Sequence, residues 1–303
     1  MSCFIKRFAV LMVSGMTAVS SFGDSVTLTS TEDTAILEQV PDNNTGGNPV
    51  FSTGSNLKGK HARAFIRFNL ASQVPTNASI RSVSLTLTCT AAPGPDSTFD
   101  LRRVLVAWGE GNVNTGGDSG QLASTGEATW NHRLHPSTSW SVAGAAAPGD
   151  FSSTVSAATF VQGSGSYTFS STPELVADVR QWLTNPAANF GWIVVTESEA
   201  AAGTHRNFAS SESTANNKPT LVVQYVIPVT PTIKSIQKVG STIQFVFAAL
   251  AGQPYTAEYR DSLVTDTWHF LTNISPQPSN TDVPVTDPAP PQTQRFYRVT
   301  TTF

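Results

Sequence analysis

Three groups of side chains in this 303-residue sequence have types and spacings suited to chemistry. Arg63, Phe65 and Arg67 alternate with Ala64, Ile66 and Phe68, which places the first three on one face of an extended segment. Two guanidinium forks flanking an aromatic ring suit an acidic glycan such as a uronate polymer, because the planar fork matches a carboxylate. Pairing with acids on a neighbouring strand is the equal alternative. His205 and Arg206 are expected to join that patch. The second group is His132, Arg133 and Trp140, with His135 three residues beyond His132. It reads as a loop lining where a flat ring meets the C–H face of a sugar and polar groups fix its orientation. The histidine pair alone does not make a zinc site. Zinc needs a third protein ligand, which His61 or His205 would supply only through the fold. The third group is Glu32, Asp33, Asp42 and Asn43, oxygen donors near one turn region. Calcium takes six to eight oxygens and is the ion this set would suit, although EF-hand spacing is absent and solvated turn residues are the plain reading.

Other chemistries lack a signature. Gly54-Ser-Asn-Leu-Lys-Gly59-Lys60-His61 comes near a phosphate-binding loop. However, His61 replaces the hydroxyl that would hold magnesium, and a strand follows where a helix is required. It reads as a turn. There is no Gly-x-Ser-x-Gly elbow and no HExxH pair. Glu110, Glu127 and Asp150 are carboxylates with nothing to distinguish them, and Tyr167 and His132 are the conceivable bases for a lyase. Trp108 and Trp130 read as core, and Trp140 as core or surface equally. No cofactor follows from the sequence beyond a structural calcium ion, and the chain reads as non-catalytic.

The composition sets the context for these groups. Residues 1–23 read as a secretory signal: Lys6 and Arg7 precede the short apolar stretch Phe8 to Val19, and small residues follow. No later segment reaches the roughly 18 apolar residues that a membrane span needs. Removal of the signal takes Cys3 and all three methionines with it. Cys89 then stands alone, so an intrachain disulfide is impossible. Sixteen basic residues against 21 acids leave the mature chain at −5, and no basic stripe marks a nucleic-acid partner. The expected location is extracellular or cell-surface.

Alternation dominates the elements that must position these groups. Val83, Leu85, Leu87 and Cys89 share one face of a strand, and Ser82, Ser84, Thr86 and Thr88 the other. Leu221, Val223 and Tyr225 alternate with Val222, Gln224 and Val226, a pattern compatible with cover on both faces. The exception is Thr172 to Leu183, where a capping threonine, Pro173 and Glu174 precede an apolar stripe at Leu175, Val176, Val179, Trp182 and Leu183. This predicts one short helix, ended at Asn185-Pro186. The expected fold is all-β: a jelly-roll-like β-sandwich with one short helix over 24–227, a linker at 228–232, and a small β-sandwich over 233–303.

The first domain resembles the disaggregatase-related β-sandwich modules called DNRLRE domains, which are grouped with carbohydrate-binding modules of secreted proteins. The matching pieces run in order. They are Glu32-Asp33-Thr34, Arg63 to Leu70, Ile80 to Leu87, Trp108-Gly-Glu110-Gly111, Ala128-Thr129-Trp130, Asp178 to Trp192, Arg206 to Glu212, and Lys218 to Leu221. Asn69, Ala209 and Ser211 depart from the family, which usually has Asp, Asp and Arg there. The tail, through Gln253 to Leu263 and Arg295 to Val299, is similar to fibronectin-type-III-like modules of secreted bacterial proteins. The resemblance implies a polysaccharide partner and recognition without catalysis. The alternatives are a structural cell-surface or fibre-forming protein that self-associates, favoured by the departures at Ala209 and Ser211, and a polysaccharide lyase or hydrolase.

Overall fold

The computed structural model describes residues 24–115, 119–214, 216–227, 230–291 and 294–301. The expected signal, 1–23, lies outside the described residues. Among the described residues the chain is all-β with one α-helix, and its packing divides after Ile227 into two compact units. No helix among the described residues is long and apolar enough to cross a membrane.

The first unit is built on one eleven-stranded sheet that curls on itself as a sandwich. Its axis is the long strand Ser79–Ala91, paired antiparallel with Thr220–Val226 on one edge and Gly165–Phe169 on the other. The expected alternation holds there. Val83, Leu85, Leu87 and Cys89 are buried, while hydroxyls line the outer face, as in Thr86 to Thr168 at 2.9 Å. Val50–Ser55 joins the two halves of the sheet, pairing with Arg206–Ala209 and with the start of His61–Arg67. His61–Arg67 lies between Glu32–Leu37 and Trp192–Thr196, and the latter pairs onward with Ser97–Arg103. The inward residues of both halves form one core, including Ala64, Ile66, Phe68, Leu85, Leu87, Leu101 and Val194.

The helix is Pro173–Thr184. The Thr172 hydroxyl accepts from the Leu175 N–H at 3.0 Å, and the predicted stripe is buried in the main core. Asp178, on the same side, accepts from the Trp192 indole N–H at 2.8 Å and the Ser156 hydroxyl at 2.6 Å, and pairs with Arg103 at 3.1 Å. Trp182 and Trp192 meet edge-to-face at 4.5 Å between centroids. Gly191 has φ of +72°, and a Cβ there would lie 2.0 Å from the Ile66 carbonyl oxygen. The run from Asp178 to Trp192 is thus a lock between helix and sheet.

Cover on both faces occurs at a different strand from the one expected. Thr220–Val226 keeps simple alternation, with Gln224 exposed, whereas Trp192–Thr196 is buried at every position. Its outward residues Ile193 and Val195 join Ile36, Phe65, Val104, Trp108, Ala128, Trp130, Trp140 and Phe151 in a second core. The described residues between Val104 and Phe151, largely irregular, supply that cover. The C-terminal unit has two three-stranded sheets and its own core of Phe245, Phe247, Tyr255, Ala257, Val285 and Val299.

Candidate functional site

The second core decides the fate of the arginine face. Phe65 is 0% exposed and stacks on Trp140, with centroids 5.0 Å apart and planes 11° apart. Arg63 grips Glu199 in a fork, with Nε and Nη2 donating at 2.7 and 2.6 Å, and donates to the carbonyls of Gly144 and Ala145. It also lies over the Trp130 ring at 5.7 Å. Arg67 pairs with Glu32 and covers Trp108 at 5.5 Å. The expected outward face is therefore covered at Phe65 and half-buried at the two arginines, whose guanidinium groups bind this chain's own carboxylates. Trp140 is also core, with its indole N–H donating to the Thr129 carbonyl. Trp108 and Trp130 are buried as expected. Arg133 donates to the Ala107 carbonyl at 2.8 Å, holding two loops together.

Arg206 is 0% exposed and does not belong to a surface patch. Its guanidinium donates to the carbonyls of His205 at 3.0 Å and Pro95 at 2.7 Å. His205, its neighbour on the opposite side of the chain, does reach a surface depression. Two adjoining hollows, about 290 and 260 Å³, share Gln39, Asn56 and His205. Leu57, Lys58, Pro93 and Gly203 line one, and Lys60 and His61 line the other.

The near phosphate-loop segment builds this groove as a turn. Asn56 Oδ1 accepts the N–H groups of Lys58 and Lys60, and the Gly59 N–H bonds the Asn56 carbonyl. Gly59 has φ of +71°, which favours glycine. The tight turn leaves Leu57 87% exposed beside the exposed Lys58. The Asn56 amide donates to the Gln39 side chain at 2.7 Å, and Lys60 pairs with Glu38 at 2.8 Å. An apolar tip is thus set among amides, ammonium groups and imidazoles. Of these residues His205 is the ligand contact expected from the sequence. The signal for the rest was Leu57 between Asn56 and Lys58, an apolar residue at a turn tip with no strand to bury it.

The acidic group does not converge as a calcium cage. Glu32 pairs with Arg67, and the Asn43 amide donates to the Ser119 carbonyl. Asp42 Oδ1 accepts from the Asn131 amide at 2.9 Å and approaches His132 and His135 instead. Asp33 is 1% exposed, and its Oδ2 accepts from the Ser30 hydroxyl and the Ser211 N–H. Burial pushes its pKa up to about 8, and the neighbouring Glu212 and Glu110 carboxylates add to the rise, against hydrogen bonds from Ser211. Burial likewise pushes Glu110 up to about 7, partly offset by the Asp33 N–H that it accepts. A paired-carboxylate site for glycoside cleavage needs both groups open to substrate, and Asp33 is closed. Glu127 and Asp150 cap loops through the N–H groups of Ser124 and of Ser141 and Ala146. The Tyr167 hydroxyl donates to the Gly163 carbonyl in the turn just before its own strand.

Comparison of the chain with family models and with curated proteins finds no match.

Proposed function

We propose that this is a secreted, non-catalytic protein that binds a polysaccharide, with an acidic, uronate-type chain as the preferred ligand. The observation that carries the reading is the groove around the turn at Asn56 to Lys60. It combines an exposed leucine with two amides, two lysines and two histidines. Sugars offer apolar C–H faces and dense hydroxyls, so a site for them needs apolar contact bordered by donors and acceptors. Lysine ammonium groups at the rim favour a polymer that carries carboxylates, and such contacts weaken as salt rises. Arg63 and Arg67 are half-buried and engaged with Glu199 and Glu32, so the turn offers the more accessible contact surface. At the groove Lys58 supplies an exposed cation, and Lys60, paired with Glu38, a second. The resemblance to DNRLRE modules points to the same class of ligand, and the predicted signal sequence to the same compartment.

The test is a panel of polyuronates and neutral polysaccharides presented to the mature chain, 24–303. The expected outcome is retention by a polyuronate that fades between low and moderate salt. Absence of retention by every polymer would overturn the reading.

A further inference from the structure

We propose a divalent transition-metal site, of zinc type, formed by Asp42, His132 and His135. Candidate ligand atoms of the three side chains lie within 4.8 Å of one another, and among the described residues this is the group of three or more such side chains that meets that distance. The group was not visible from spacing, because Asp42 comes from a different segment, 90 residues before His132. Two imidazoles and a carboxylate make a ligand set that zinc accepts in open tetrahedral sites, where water fills the remaining position.

The site is built rather than incidental. The Asn131 amide donates to Asp42 Oδ1 at 2.9 Å, fixing the carboxylate from behind. The Ala123 N–H bonds the Asp42 carbonyl at 3.0 Å, and the Asn131 N–H bonds that of Pro41. The His132 N–H donates to the Thr129 hydroxyl at 3.0 Å, and His135 exchanges backbone bonds with Glu127 and Gly126. His132 also lies in the short hairpin of His132–Leu134 with Thr138–Ser139. All three ligand-bearing backbones are thus held in place before an ion arrives.

A second observation points to a ligand. The Nδ1 atoms of both His132 and His135 are buried and have no hydrogen-bond partner. Buried polar atoms in folded proteins are ordinarily partnered, so two orphans on adjoining rings mark a demand for one. The rings stand nearly perpendicular, 82° apart with centroids 5.2 Å apart, so they are not stacked against each other. A metal ion supplies the partner that both imidazoles lack, and Asp42 supplies the third ligand. The site stands on its own geometry and does not depend on the glycan reading.

The test uses the untagged mature chain, stripped with chelator and titrated calorimetrically with Zn²⁺ at neutral pH, with Ca²⁺ as the hard-cation control. The expected result is one Zn²⁺ per chain, no heat with Ca²⁺, and a visible Co²⁺ band that Zn²⁺ abolishes. His132→Gln, His135→Gln and Asp42→Asn should each weaken zinc by roughly tenfold or more, because each removes one of three ligands. His61→Gln, outside the group, should not. Circular dichroism shows which variants have folded, and the Co²⁺ band of the wild-type chain reads the site without any variant. Substoichiometric zinc in the wild-type chain would overturn the proposal. So would wild-type affinity in folded His132→Gln or His135→Gln.

Discussion

Asp33, Glu110 and Glu212 bring three carboxyl groups to one place, where Arg67 offsets only part of the rise at Glu110. Ser211 stands there in place of the arginine that the family resemblance implies, and its N–H and hydroxyl bind Asp33 and Glu212 instead. The consequence is a pH dependence of stability. The folded pKa of Asp33 is raised to about 8 from an ordinary 3.8. Its contribution is therefore fully present below about pH 4 and is lost as pH rises through about 8. Glu110 acts with the same sign at about 7. The melting temperature should fall from pH 5 to pH 9, and Asp33→Asn should flatten that fall. At pH 9 the variant should melt higher than the parent by about 4 °C, an effect of one to two kcal/mol in a unit of this size. Thermal melts at the two pH values check this. A variant that melts lower at pH 9 would show that the carboxylate is stabilised after all.

At the scale of elements, the strand His61–Arg67 carries a core on each face. Ala62, Ala64 and Ile66 point into the main core, and Phe65 points into the second. Arg63→Ala should therefore act on stability. It leaves Glu199 without its fork and two carbonyls without a donor, at a cost of about 2 kcal/mol. Urea denaturation checks this, and an unchanged midpoint would mean that the second core holds without the arginine. The strand, its alternation and the helix were legible in the sequence, because periodicity and caps are local. The helix began at Pro173 and ended before Asn185-Pro186, as its residues dictate. The cover over Phe65 was not legible, because it comes from the irregular stretch 104–151, which has no period to read. A trace was present: Ile193 and Val195 are as apolar as Trp192 and Val194, the mark of a strand buried on both sides. Asp42 with His132 and His135 was hidden for the same reason, since loop contacts leave no spacing in the chain.

At the scale of the whole molecule, each unit has a core of its own. The first has two, and the second centres on Phe245, Phe247 and Tyr255. Calorimetry of the mature chain should then show two transitions, and a chain ending at Ile227 should keep the larger one within about 2 °C. A single transition lost on truncation would contradict this. The first unit also carries the proposed binding groove, around the turn at Asn56 to Lys60. Variants at the turn and at Arg63 distinguish the two candidate surfaces. The most direct measurement is polyuronate affinity of three proteins side by side: the mature chain, Leu57→Ser with Lys58→Ala, and Arg63→Ala. The groove variant should lose about tenfold or more, equivalent to about 1.4 kcal/mol, while Arg63→Ala, where folded, should bind as the parent does. Loss in Arg63→Ala with full binding by the groove variant would contradict the account and return the site to the arginine face.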